Sequence, residues 1–331
     1  MKPDYIKNAP KIYLVAPSFG TTTTPYKQRI EKALINFKKL NAHIIIGENV
    51  FKNDLTYASN TKEKRAKEIM DALKSDADII WSVGGGELMC EILEYINFDE
   101  LKNIKPKWFI GYSDNTNLIL PLATNLNLES IYGPHAPDLY NYPFDFEVKK
   151  TIEMLKGEKE FIGYKSFQLN KTNDIFPKYK LDKRKKLIIY NYNKPFEGIL
   201  LGGCLDCLVH ICGTKFDNVY SYTKNKNEKF IFFLEACELN PMRIMRALFQ
   251  LKNANWFNNV SGFIIGRSMY YNSIQNDIKD TDAYIEMLKE FNVPIILNCD
   301  FGHIGPTVPI RCNAYCQISI ENNNIKFKYK D

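Results

Sequence analysis

This 331-residue chain has no apolar run long enough to cross a bilayer, which removes a transmembrane helix from consideration. Ahead of its first compact apolar segment stands MKPDYIKNAPK, with no apolar stretch of signal-peptide length, so a cytoplasmic protein is expected. Internal repeats and long low-complexity tracts are missing too. Neither sign of charge dominates: 44 basic residues face 38 acidic ones, a net charge of +6. The densest basic run, KYKLDKRKK at residues 178–186, has no aromatic stacking pattern or nucleic-acid motif beside it. It reads as a solvated linker, and neither nucleic acid nor a membrane is expected as a partner. Histidine is scarce, at four residues. Cysteine is not, yet the setting of a disulfide framework is lacking. The eight cysteines, at 90, 204, 207, 212, 237, 299, 312 and 316, lie in a long chain without an export signal and read as reduced thiols. Cys204, Cys207, His210 and Cys212 crowd together without the separated second pair of a common structural zinc site. Small buried thiols on a helix are expected there rather than a metal.

What is present is the profile of an ordinary globular protein, with 45% hydrophobic and 25% charged residues in a length sufficient for two domains. Residues 12–16, IYLVA, form a compact strand, and Pro17, Ser18, Phe19 and Gly20 its turn. Residues 26–40 read as an amphipathic helix with Ile30, Leu34 and Phe37 on one side. A strand at 42–46, a helix at 61–74 with Ala66, Ile69, Met70 and Leu73 inward, and a strand at 77–83 continue the alternation. Units of this spacing imply a mostly parallel sheet, whose ligands gather beyond the carboxyl ends of its strands. Gly84, Gly85 and Gly86 follow one such end. Residues 107–118, KWFIGYSDNTNL, supply another: an apolar strand closing at Gly111, then Tyr112, Ser113 and Asp114, then a helix. From 149 to 193 the apolar pattern weakens. Strands at 198–203, 230–234, 260–266 and 294–297 then alternate with helices ending at 211 and spanning 242–251 and 280–291.

Polar side chains at strand ends are where chemistry is expected. Ser113 sits where a strand turns sharply into a helix, which lifts its side chain clear of the backbone. The turn is similar to the nucleophile elbow G-x-S-x-G, with Asn115 where the second glycine would stand. A helix cap is the alternative reading of that serine. Serine becomes a nucleophile near neutral pH when a base takes its proton, and an imidazole of pKa near 6.5 suits the task. His303 lies between Gly302 and Gly305 in a proline-containing loop, an unusual place for a packed core imidazole. His43 and His210 sit in apolar segments and read as structural, whereas His135 is a loop residue placed to line a site. A carboxylate on the second imidazole nitrogen fixes the tautomer and stabilises the cation that forms. Glu235 and Glu238 follow the strand at 230–234, and both also suit the N-terminus of the next helix.

Seven segments in order carry a wider resemblance: VAPS at 15–18, VGGG at 83–86, GYSDNTNL at 111–118, YGPH at 132–135, GILLGGCLDCLVHICGT at 198–214, FLEACE at 233–238 and DFGHIGP at 300–306. With them the chain resembles the serine peptidase family of L,D-carboxypeptidases, which includes muramoyl-tetrapeptide carboxypeptidases and microcin C immunity peptidases. The resemblance implies Ser113 as nucleophile, His303 as general base and Glu235 as orienting acid, with Glu238 the competing assignment. Glu235 is preferred because it follows its strand directly, as in the family's pattern. An oxyanion hole from backbone N–H groups is implied at Gly85 or Gly86 and Asp114, with Gly84, Tyr112, His135 and Glu238 lining the substrate. Neither a metal nor an organic cofactor is implied. Two departures bear on substrate. Val83 stands where the muropeptide-cleaving branch usually has arginine before its glycine pair, and the DFGH form is closer to the immunity branch.

The expected fold is α/β: an N-terminal parallel-sheet, flavodoxin-like domain over residues 1–160, a linker over 161–190, and a smaller β-rich α/β domain over 191–331. The active site is expected in the cleft between the domains. The leading expectation for function is removal of the terminal D-alanine from muropeptide tetrapeptides during peptidoglycan recycling. An immunity-type peptidase that cleaves aminoacyl-nucleotide toxins is the second, and a non-catalytic binder of peptides or wall fragments the third. The partner is a small peptide or peptidyl-nucleotide substrate. The oligomeric state stays open, a homodimer included. Activity is expected to rise with pH as His303 loses its proton near 6.5.

Overall fold

Ile12, Leu14 and Val15 lose all contact with water in β1 (Lys11–Val15), a short apolar run that belongs inside a sheet covered on both faces. The computed structural model describes residues 1–55, 57–170 and 173–330. Two units divide the chain, Met1–Glu158 with Lys171–Tyr179, and Lys159–Asn170 with Lys180–Asp331.

In the first unit β1 is followed by α1 (Tyr26–Phe37), β2 (His43–Ile46), α2 (Lys62–Lys74), β3 (Ile79–Ser82), β4 (Trp108–Gly111), α3 (Thr116–Leu126), β5 (Ser130–Tyr132) and α4 (Phe146–Leu155). All these strand pairings are parallel and run in the order β5-β4-β3-β1-β2. That is the flavodoxin-like order, and it changes direction between β1 and β3. The loops leaving those two strands, residues 16–20 and 83–88, therefore flank the crevice where such sheets bind ligands. Helix α1 buries Ile30, Ala33, Asn36 and Phe37 at helical spacing. The Asn36 side chain donates to the carbonyls of Leu139 and Tyr140, at 2.7 and 3.0 Å.

The second unit contains β6 (Glu160–Ile162), β7 (Ser166–Phe167), β8 (Lys183–Arg184), β9 (Ile188–Tyr190), β10 (Phe196–Cys204), α5 (Leu205–Ile211), α6 (Val219–Lys224), β11 (Phe230–Glu235), α7 (Pro241–Asn253), β12 (Val260–Arg267), β13 (Ile274–Gln275), β14 (Ile278–Lys279), α8 (Asp280–Leu288), β15 (Ile295–Gly302), β16 (Ile310–Cys312), β17 (Tyr315–Glu321) and β18 (Asn324–Tyr329). Its eight-stranded sheet has the order β6-β18-β17-β10-β11-β12-β15-β9. Strands β10, β11, β12 and β15 pair in parallel at the centre, and antiparallel strands flank them on both sides. FIFFL is buried throughout because β11 has neighbours on either edge.

Three sequence expectations differ in detail. The stretch at 161–190 is not a plain connector: β6 pairs with β18, β9 pairs with β15, and β7 pairs with β8. Residues 173–179 lie with the first unit, where Tyr179 donates its hydroxyl to Glu147 at 2.8 Å and Pro177 accepts from Tyr140 at 2.8 Å. The tyrosines and lysines that made this stretch look like linker are anchors and edge-strand residues. Helix α4 lies where the apolar pattern thins, and buries only Val148, Thr151, Met154 and Leu155. The β17–β18 hairpin was not anticipated, although Asn322 and Asn323 both adopt positive φ at its turn, as two-residue hairpins require. Among the described residues no helix is long and apolar enough to cross a membrane.

One carboxylate ties the loops that leave β1 and β2 together. Glu68 of α2 is buried, and it accepts from the backbone N–H of Ala16 at 2.7 Å and of Asn49 at 2.8 Å. Burial raises its pKa above the ordinary carboxylate value, and the donated hydrogen bonds work against that rise. Glu68→Leu would leave both donors buried and unpaired, and is expected to cost roughly 2–4 kcal/mol. Urea denaturation of the two proteins measures this; a change below about 1 kcal/mol would mean the loops find other acceptors.

Candidate active site

Strand β4 ends at Gly111, and Tyr112 leads into a 3-10 turn, Ser113–Asn115, before α3 begins. Ser113 has φ = +60°, the left-handed region that costs a non-glycine residue about 1–2 kcal/mol. The chain reverses so sharply there that the side chain stands off the sheet end, partly exposed. The Ser113 N–H donates to the Tyr132 hydroxyl at 3.1 Å. Asn115 takes the place of the elbow's second glycine and earns that place through its amide. Nδ2 donates to the carbonyls of Gly84 and Tyr112, both at 3.0 Å, tying the elbow to the glycine loop.

The glycine loop passes directly beside the serine. A Cβ at position 85 would stand 3.2 Å from Ser113 Cβ and 3.3 Å from Ser113 Oγ. At Gly86 φ is +154°, and a Cβ would fall 2.1 Å from Ser18 Oγ. A side chain is excluded at Gly86 and would crowd Ser113 at Gly85, so at Gly85 the backbone itself lies beside the hydroxyl. The loop is fixed from below by two buried groups, the side chain of Asp114, which the sequence pointed to only for its backbone N–H, and Arg65, which sequence reasoning missed. Asp114 accepts from Ser18 Oγ at 2.5 Å, the Met89 N–H at 2.9 Å and Asn117 Nδ2 at 2.8 Å. Burial raises the pKa of Asp114 against these hydrogen bonds. Arg65 donates to the carbonyls of Pro17 and Leu88 and pairs with Glu91 at 2.7 Å. Ser18 in VAPS was visible as a strand-end residue; Arg65 carried no signal, being one basic residue of a charged helix.

His135 completes this group. Its ring stacks on Tyr112, with centroids 4.3 Å apart, and its Nε2 lies 3.1 Å from Asn115 Nδ2 and 3.3 Å from the Tyr112 carbonyl. The His135 N–H donates to Asp138, whose burial lifts its pKa to about 6. Thus Ser113, Gly84, Gly85, Gly86, Tyr112, Asp114 and His135 are brought together within the first unit.

In the second unit, Glu235 closes β11 with no solvent exposure and His303 follows β15 directly. His303 Nδ1 lies 2.8 Å from Glu235 Oε2. A carboxylate there holds the proton on Nδ1 and leaves Nε2 as the basic nitrogen of the neutral ring. Gly302 has φ = +98°, and a Cβ on it would meet Glu235 Oε2 at 3.0 Å. Burial disfavours the imidazolium, but the Glu235 charge and the ring's hydrogen bonds to Cys237 and Glu235 outweigh it and carry the His303 pKa to about 10. The expected titration near 6.5 is thereby corrected upward.

Glu238 is exposed, and its backbone N–H donates to Asp206 at 2.8 Å, as does that of Cys237 at 2.9 Å. The carboxylate against His303 is Glu235. His43 and His210 are exposed rather than packed, the first because it opens the edge strand β2, the second because it lies on the outer face of α5. Cys204, Cys207 and Cys212 are buried and take part in no disulfide. Among the described residues no group of three or more His, Cys, Asp or Glu side chains is arranged to hold a metal ion.

Family models of the LD-carboxypeptidase N-terminal domain and C-terminal domain match residues 12–133 and 197–318. The chain belongs to the LD-carboxypeptidase family. Its relatives include a Rickettsia conorii protein that carries the name of a carboxypeptidase, 29% identical over 93% of this chain and 87% of that one. The microcin C7 self-immunity protein MccF of Escherichia coli is 24% identical over 93% of this chain and 90% of its own. Solved structures share the fold. MccF in complex with glutamyl sulfamoyl guanosine superposes with a TM-score of 0.83 at 22% identity, over 99% of this chain and 98% of that one. A muramoyltetrapeptide carboxypeptidase from Oxalobacter formigenes gives 0.75 at 19% identity, over 97% and 99%. In this LD-carboxypeptidase family member the left-handed serine has a measurable signature. Ser113→Gly is expected to be more stable than Ser113→Ala by ~0.5–1 kcal/mol in urea denaturation, because glycine adopts the conformation freely. Equal stabilities would mean that the turn carries no strain.

Proposed function

We propose that this protein is a serine carboxypeptidase in which Ser113 is the nucleophile, His303 the general base and Glu235 the acid that orients it. The observation that carries the reading is the left-handed Ser113 at a sheet end, with the Gly85 backbone against its hydroxyl. His303 Nε2 takes the Ser113 proton as Oγ attacks the scissile carbonyl. The tetrahedral oxyanion receives N–H donors from Gly85 or Gly86 and Asp114, each such donor typically contributing about 3 kcal/mol. The imidazolium then returns its proton to the leaving amine, and water resolves the acyl-enzyme by the same route. Gly84, Tyr112 and His135 line the acyl side, and the reaction runs without a metal or organic cofactor.

The substrate is an amide next to a free carboxylate, and the leading reading is removal of the terminal D-alanine from muropeptide tetrapeptides recycled in the cytoplasm. The second reading, cleavage of an aminoacyl-nucleotide toxin, is favoured by Val83 before the glycines and by the full-length likeness to MccF. Incubating the protein with a muropeptide tetrapeptide and, separately, an aminoacyl-sulfamoyl adenosine, with products identified by mass, discriminates them. Binding of wall peptides without cleavage of either substrate would instead favour a binding protein.

Ser113→Ala is expected to lower kcat by ~10⁴-fold or more while leaving substrate affinity within a few-fold, and to be non-additive with His303→Ala. Full activity in Ser113→Ala, or activity removed by chelators and restored by zinc, would sink the serine mechanism.

The acid assignment has its own test. Glu235→Gln should cost roughly 10²–10⁴-fold in kcat, and Glu238→Gln less than about threefold. Because the carboxylate raises the His303 pKa, the rising limb of kcat/KM should lie well above pH 6.5 in the wild type. It should move to lower pH in Glu235→Gln, where burial acts without the opposing charge. A limb that stays in place would show that His303 is not the titrating base.

A further inference from the structure

The basic run at 178–186 conceals one residue that is not solvated. Lys185, between β8 and β9, is buried, and its ammonium pairs with Asp300 of β15, itself fully buried. The other Asp300 oxygen accepts from Arg267 Nη1 at 2.6 Å, and the Tyr164 N–H adds a third donor at 3.0 Å. Two cations thus meet one carboxylate where water does not reach. Arg267, at the end of β12, has further donors to place. Nη2 donates to the carbonyls of Ile304 at 2.8 Å and Pro306 at 3.1 Å, and the guanidinium lies over the Phe167 ring at 4.7 Å.

These acceptors belong to the loop that carries His303. Its four carbonyls after the histidine are all engaged: Ile304 and Pro306 by Arg267, Gly305 by the Gln168 N–H at 3.0 Å, and Thr307 by the Tyr164 hydroxyl at 3.2 Å. Buried ion clusters are poor sources of stability, since well-packed apolar residues often serve as well or better. What a planar five-donor head supplies is direction, one face on a carboxylate and another on two carbonyls. A lysine at 267 could keep the first contact but not span both.

We infer that Arg267, braced by Asp300, is the positioning residue that holds the His303 loop so that Nδ1 meets Glu235. This rests on the reading of His303 as the base. The titratable groups facing the His303 ring are Glu235, closing β11, and Cys237, in the turn after it. Arg267 therefore acts on the ring through the loop.

The test is the titration of the His303 ring, followed by NMR in the full-length protein labelled at histidine, alongside kcat and KM. In folded Arg267→Lys the His303 pKa should fall from about 10 toward 6.5, with kcat down roughly tenfold to a hundredfold and KM changed far less. Lys185→Met removes a buried charge but leaves the Arg267 contacts with the loop, and should leave the titration in place. Should Arg267→Lys not fold, Tyr164→Phe removes one loop contact at lower risk and should shift the titration the same way by less. An unchanged His303 titration in folded Arg267→Lys, or in Tyr164→Phe where that variant must serve, overturns the inference. So does a kcat loss that only follows the unfolded fraction, or a Lys185→Met shift equal to that of Arg267→Lys. If wild-type turnover survives His303→Ala, the reading of His303 as base fails, while the ring titration still reports whether Arg267 positions it.

Discussion

A carboxylate removed from water must be supplied with donors, and four such groups organise the functional ends of both sheets. Glu68 collects the N–H groups of Ala16 and Asn49, Asp114 the hydroxyl of Ser18 and the N–H of Met89, Glu235 the imidazole of His303, and Asp300 the heads of Arg267 and Lys185. Most of these donors come from loops that leave strand ends, where regular pairing has stopped and the backbone has no ladder to hold it. Loops of that kind are ordinarily the softest part of an α/β unit. Here they are fixed by groups whose release would strand a charge in the interior.

That fixing is what allows a strained serine. A left-handed, non-glycine residue persists only where its surroundings over-determine it. At Ser113 the neighbours do so from three sides: Tyr132 takes the N–H of the serine, Asn115 binds the glycine loop, and Asp114 anchors both Ser18 and Met89. The same tightness requires glycine at Gly86, where a Cβ would fall 2.1 Å from Ser18 Oγ, and at Gly85 a Cβ would press on Ser113.

Much of this was readable from the chain because it depends on local pattern. Alternating strands and helices, the glycine triplet, the strand-to-helix turn at Ser113 and the polar ends of FIFFL and of the β15 segment all follow from spacing over fewer than 20 residues. What escaped reading depends on partners far apart in sequence. Lys185 looks like any lysine in KRKK, yet its carboxylate partner lies 115 residues away. Arg65 and Glu68 sit in a helix whose charged pattern suggests solvent on most sides, and both turn inward to loops. Strands β6 and β9 are short, partly exposed edge strands, so their composition resembles a linker. His43 and His210 were misread for the converse reason: an apolar neighbourhood in sequence does not bury a residue on an edge strand or on the outer face of a short helix.

On the proposed reading of His303 as the base, its raised pKa sharpens what Glu235 is for. At neutral pH a base with pKa about 10 is mostly protonated, and each further unit removes about tenfold of the active form. Added basicity returns less than tenfold per unit, since proton transfer in the transition state is incomplete. On base strength alone, a buried carboxylate against the ring would therefore slow the reaction near neutrality. Its contribution in the proposed mechanism has to come from elsewhere: it holds the proton on Nδ1 and aims Nε2. Both depend on angle and distance, and that is where Gly302, Arg267 and the four engaged carbonyls act.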